Sequence, residues 1–83
     1  MSKKLLKTET VMSRQNAAEK LHGIADKIAD GRLELTTGND SVTLEPADRV
    51  EFEIQVEEEM DGDMSLEVEI EWSPNDSEDI EIG

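Results

Sequence analysis

Between residues 49 and 73 the chain alternates between apolar and polar positions with almost no break. Val50, Phe52, Ile54 and Val56 interleave with Glu51, Glu53, Gln55 and Glu57. After a turn around Asp61–Gly62–Asp63, Met64, Leu66, Val68, Ile70 and Trp72 interleave with Ser65, Glu67, Glu69, Glu71 and Ser73. Successive side chains of a strand point to opposite faces, so a period of two predicts two strands, each with one apolar and one wet face. Pro74–Asn75 ends the second run, and Ile80–Glu81–Ile82 offers a short last strand or part of a loose acidic tail over residues 74–83.

The N-terminal half changes period. Residues 4–12 read as a weak first strand, in which Leu6, Thr8, Thr10 and Met12 alternate with Leu5, Lys7, Glu9 and Val11. Its threonines favour an extended chain and its lysines suit a sheet edge. Ser13 is placed to cap a helix, because its hydroxyl can accept from a free amide of the first turn. Ala17, Leu21, Ile24, Ala25 and Ile28 then recur at helical spacing, and Gly31 supplies the stop, which predicts a helix over roughly residues 13–30. Residues 32–37 place Leu33 and Leu35 on one face. Gly38–Asn39–Asp40 has turn chemistry, residues 41–45 place Val42 and Leu44 inward, and Pro46–Ala47–Asp48 is a second break.

This order of elements predicts an α+β fold: an antiparallel β-sheet of about five strands (β-α-β-β-β-β) with one helix packed on one face. Five strands span roughly 24 Å, whereas a helix is only about 10–12 Å across. The helix therefore covers two or three strands, and apolar surface is left over. Either the sheet curls around the helix or a partner covers the remainder. The expectation carried forward is a homodimer or another protein partner, with Trp72, Ile70 and Phe52 as interface residues and Trp72 as the anchor.

Composition narrows the picture. Eighty-three residues make one domain, residues 1–83, near the lower size at which a single core suffices. There is no cysteine, which excludes disulfides and thiolate metal sites. The run Lys3–Lys4–Leu5–Leu6–Lys7 is too short in apolar residues for a signal peptide, and no stretch suits a membrane span, so the expected compartment is the cytoplasm.

Charge is distributed unevenly. Eight Lys and Arg face 22 Asp and Glu, a formal net charge of −14, and every basic residue lies at or before Arg49. If the two alternating runs pair as a hairpin, Glu51, Glu53 and Glu57 face across toward Glu67, Glu69 and Glu71, and like charges opposed on one sheet face destabilise it. Salt near 1 M shortens the screening length to about 3 Å and removes most of that repulsion. An acidic, lysine-poor surface of this kind is expected of a protein that works at high internal salt.

Catalytic chemistry finds little support in the residues. His22 is the single histidine and sits at the border of the helical apolar stripe, so neither a His-based nucleophile set nor a transition-metal site is expected. Glu57, Glu59, Asp61 and Gly62 imitate the first half of a calcium loop, but the twelfth position falls on Val68. The charge repels nucleic-acid backbones. The expectations are no enzyme activity, no cofactor, no metal, no nucleic acid and no membrane.

A Ser-capped helix with Ala17–Ala18–Glu19–Lys20–Leu21, closed by Gly31, followed by strands ending in Leu66–Glu67–Val68–Glu69–Ile70–Glu71–Trp72, resembles the amphi-Trp domain family over about residues 4–72. The resemblance implies the fold and a salt-adapted setting, since members are common in salt-adapted archaea. It implies no catalytic activity, cofactor or substrate. The residues thus favour a non-enzymatic interaction or scaffold module that self-associates through its apolar sheet face. The alternative is an acidic effector, either a nucleic-acid mimic or a cation-binding module, acting through Glu51, Glu53, Glu67, Glu69 and Glu71.

Overall fold

The computed structural model describes residues 2–74 and divides the chain into two compact units, residues 1–45 and 46–83. The expected last strand at Ile80–Ile82 and nearly all of the expected tail lie outside the described residues.

The first unit is built on α1, Arg14–Asp30. Ser13 caps it, its Oγ accepting from the Asn16 amide at 3.0 Å. At the other end Gly31 adopts φ 92°, its amide donates to the Ile28 carbonyl, and the Arg32 amide donates to the Lys27 carbonyl. This paired closure needs a left-handed residue, which glycine adopts without a Cβ penalty. Two short strands follow, β1 (Leu33–Thr37) and β2 (Asp40–Leu44), paired antiparallel across the two-residue turn Gly38–Asn39. Gly38 has a positive φ, as a tight hairpin of this length requires at its first turn position.

The alternation predicted for these strands holds. Leu33 pairs with Leu44 and Leu35 with Val42, and all four side chains are buried or half-buried while Glu34 and Thr43 are exposed. Helix α1 packs on β1, with Ile24 and Ile28 half-buried. Leu33, at 6% exposure, is the one buried hydrophobic residue among those described.

Among the described residues the second unit is a single hairpin of β3 (Glu51–Glu58) and β4 (Met64–Glu71), paired antiparallel from Glu51↔Glu71 to Glu58↔Met64. Its turn is tight. The Glu59 amide donates to the Asp63 carbonyl at 2.7 Å, the Gly62 amide to the Glu59 carbonyl at 2.9 Å, and the Asp63 amide to Asp61 Oδ1 at 3.0 Å. Gly62 supplies the positive φ of 95°. The stretch with a partial calcium-loop pattern is therefore the end of a strand and a hairpin turn.

Two expectations need correction. The α+β class and the antiparallel pairing hold, but among the described residues the strands form two two-stranded sheets, four strands in all, and not one five-stranded sheet. Local alternation fixes which face of a strand is apolar. Joining one hairpin to another edge to edge is a non-local choice that the pattern does not encode. Residues 4–12 form no strand either: the chain there is irregular, with Leu6 and Met12 half-buried and Leu5 and Val11 exposed. The side chains at Leu6 and Met12 thus turn inward without any ladder to hold the intervening backbone.

The division between units is also a division of charge. Residues 1–45 carry seven bases and seven acids, whereas residues 46–83 carry fifteen acids and a single base, Arg49.

Candidate functional site

In a register that begins at Glu51↔Glu71, odd-numbered residues of both strands share one face of the hairpin and even-numbered residues share the other. The even face brings together Phe52, Ile54, Val56, Met64, Leu66, Val68 and Ile70, with Glu58 at its turn end opposite Met64. The odd face brings together Glu51, Glu53, Gln55, Glu57, Ser65, Glu67, Glu69 and Glu71. Strict alternation in sequence thus yields two chemically opposite surfaces on one thin element.

The apolar face is uncovered over most of its length. Phe52 is 60% exposed, Ile54 57% and Leu66 65%. Val50, Val56, Met64 and Val68 are exposed as well, and every residue of β3 is exposed. Phe52 stands directly opposite Ile70, which is half-buried. Two residues beyond Ile70, Trp72 is half-buried at the open end of the hairpin, where it lines a cleft of about 420 Å³ with Arg49, Val50, Glu51, Glu71 and Ser73. The three predicted interface residues therefore gather toward this end, with Trp72 just past the last β4 residue.

The acidic face puts like charges in direct opposition twice, at Glu51↔Glu71 and Glu53↔Glu69. Glu67 faces the neutral Gln55, and Glu57 faces Ser65. The expected opposition of Glu57 to the β4 glutamates is corrected accordingly: the turn length sets the register, and it brings Glu57 opposite Ser65. Gln55 also donates from Nε2 to Glu57 Oε2 at 3.0 Å. The amide thus interrupts the carboxylate row and satisfies one of its members.

One carboxyl responds to this crowding. The pKa of Glu69 is raised above its ordinary value of 4.5, first by a side-chain hydrogen bond with Glu53 and then by repulsion from Glu53, Glu71 and Glu51. A carboxyl that shares a proton with its cross-strand neighbour favours its neutral form. Among the described residues no group of three or more His, Cys, Asp or Glu side chains is arranged to hold a metal ion, and no helix is long and apolar enough to cross a membrane.

Arg49 was not singled out by reasoning from the sequence. It is the only base of its unit and it lines the cleft with Trp72. The signal was present, since Arg49 is the last basic residue of the chain and immediately precedes the alternating run.

Comparison with known proteins adds one finding. The family model described as Amphi-Trp domain matches residues 1–83. No curated protein matches the chain, and neither does any solved structure.

Proposed function

From the premise that this chain belongs to the Amphi-Trp domain family, we propose that it is a non-enzymatic, salt-adapted interaction module that self-associates through the apolar face of the β3–β4 hairpin. The observation that carries this reading is the exposure of that face, from Phe52 and Ile54 on β3 to Leu66 on β4. Eight residues by two strands give a flat footprint of roughly 260 Å² before side-chain relief is counted. The largest apolar patch on a monomer is typically about 300–600 Å² and often functional, a range this face enters once side-chain relief is counted.

The acidic face supports the salt-adapted part of the reading. With Glu51↔Glu71 and Glu53↔Glu69 opposed, that surface keeps the outer side of the hairpin hydrated while salt screens its self-repulsion. Trp72 and Phe52 are the anchors, because large aromatic side chains contribute most when desolvated at an interface.

Light scattering in molar KCl tests the proposal. The wild-type chain dimerises with rising concentration, and Phe52→Glu shifts it to monomer while the calorimetric melt of the fold is retained. A wild-type chain that stays monomeric at every concentration overturns the reading.

A second reading rests on a separate observation, the row formed by Glu51, Glu53, Glu67, Glu69 and Glu71 on one face. In it the domain is an acidic effector that presents a phosphate-like array to a basic protein or gathers cations. Binding of a basic polypeptide that disappears in molar salt would favour it, since apolar association survives screening and charge mimicry does not.

A further inference from the structure

Both edges of the β3–β4 hairpin are open, because among the described residues each strand pairs only with the other. Two strands alone are marginal in water, and a third strand or a packed layer is the usual remedy. The face by itself is also small for a stable dimer. If side-chain relief doubles the footprint, two copies bury only about 1,000 Å², the lower limit for a specific interface. Further contact has to come from another part of the chain.

Residues 3–12 have the chemistry to provide it. They form no strand in the monomer, although they carry alternating Leu6, Thr8, Thr10 and Met12 against Leu5, Lys7, Glu9 and Val11. Lys3, Lys4 and Lys7 give this segment a net positive charge, while β3 carries Glu51, Glu53, Glu57 and Glu58 and no base. Lys3 and Lys7 share one parity, and Leu6 and Met12 the other. A strand laid along β3 with this parity can therefore set Lys3 and Lys7 on the carboxylate side and Leu6 and Met12 on the apolar side. The same parity puts Leu5, Glu9 and Val11 on the carboxylate side and Lys4 on the apolar side, so the complementarity lies in the net positive charge of the segment against the acidic strand.

We infer that residues 3–12 of a second copy add as a third strand along the free edge of β3, so that two copies exchange these segments reciprocally. This rests on the self-association reading and specifies its geometry. Backbone pairing along an exposed edge supplies the attraction, and the alternating side chains supply the register. Reciprocal exchange closes as a two-fold dimer, with each copy giving and receiving one strand. Because Ser13 and α1 follow directly, the donated strand also carries a helix to the receiving hairpin.

The absence of cysteine makes the test direct. One chain carries Glu9→Cys and a second carries Glu53→Cys, Gln55→Cys or Glu57→Cys, so that the register is sampled. After mixing in molar KCl and mild oxidation, mixed disulfides in excess of like-with-like ones are expected at one of the three positions. A chain without residues 2–9 is expected to dimerise at least tenfold more weakly by light scattering. Undiminished dimerisation of the shortened chain, with no preference for mixed disulfides, overturns strand exchange and leaves self-association through the apolar face standing. A full-length chain that never dimerises overturns both. A chain carrying Glu9→Cys and Gln55→Cys together that closes its disulfide within a monomer, without mixed dimers, overturns exchange in favour of pairing inside one copy.

Discussion

Glu53 and Glu69 stand directly opposite each other on β3 and β4, and their carboxyl groups share a hydrogen bond that holds Glu69 toward its protonated form. An antiparallel pair of this kind places its side chains about 5 Å apart, so two ionised carboxylates would repel across the ladder. Proton uptake by Glu69 relieves that repulsion.

The pH dependence follows with a definite sign. Glu69 binds its proton more tightly in the folded than in the unfolded chain, so its own contribution to folded stability is fully present below the ordinary glutamate pKa and is lost as pH rises through the raised folded value. Calorimetric melts are expected to rise in Tm as pH is lowered from neutral toward the ordinary glutamate range. Glu69→Gln is expected to raise the Tm at neutral pH and flatten the slope. A variant that keeps the wild-type slope would place the titration elsewhere.

Salt acts on the same pairs. Raising KCl from about 0.1 M to about 1 M shortens the screening length from about 10 Å to about 3 Å. The Tm of the wild-type chain is expected to increase over that range, and less so for the double variant Glu53→Gln/Glu69→Gln. Equal responses from the two proteins would show that the salt effect does not come from this face.

In α1, a Cβ added at Gly23 meets nothing within 4 Å. Gly23→Ala is expected to stabilise the first unit by about 0.5–1 kcal/mol, the usual gain for alanine in a helix interior. Gly31→Ala is equally unobstructed, yet its φ of 92° lies in the left-handed region, and a loss of about 1–2 kcal/mol is expected. Urea titrations of the two variants check the opposite signs.

Leu33 anchors the small core under α1 and pairs with Leu44. Leu33→Ala is expected to cost about 2–3 kcal/mol, at the lower end for buried leucine because the surrounding side chains are only half-buried and can collapse inward. A change below about 0.5 kcal/mol, the range of surface substitutions, would show that this cluster does not hold the unit together.

Much of this architecture could be read directly from residue order. Ser13, the Ala17–Ile28 spacing and Gly31 define a helix because caps and periodicity act within a few residues of one another. Gly38–Asn39 and Asp61–Gly62 define turns for the same reason, and strict alternation from Val50 to Trp72 defines both faces of the second hairpin. What could not be read was the assembly of these pieces. Among the described residues, 4–12 have a strand-like pattern and no partner strand, and the two hairpins remain separate sheets, because pairing between distant segments depends on competing long-range contacts. Glu57 shows the same limit on a smaller scale: its neighbour across the ladder was decided by the length of the turn at residues 59–63. The cleft at Arg49 arises where the strand ends meet, which no single segment announces.

Trp72 is the chain's only indole, and there is no tyrosine. Ultraviolet emission therefore arises from a single point, the open end of the second hairpin, whereas far-ultraviolet ellipticity is dominated by α1 in the first unit. The molecule thus carries two native optical reporters, one in each unit, without labelling. Superimposed unfolding curves would show that helix and hairpin melt as one cooperative body, and separated curves would give each its own transition.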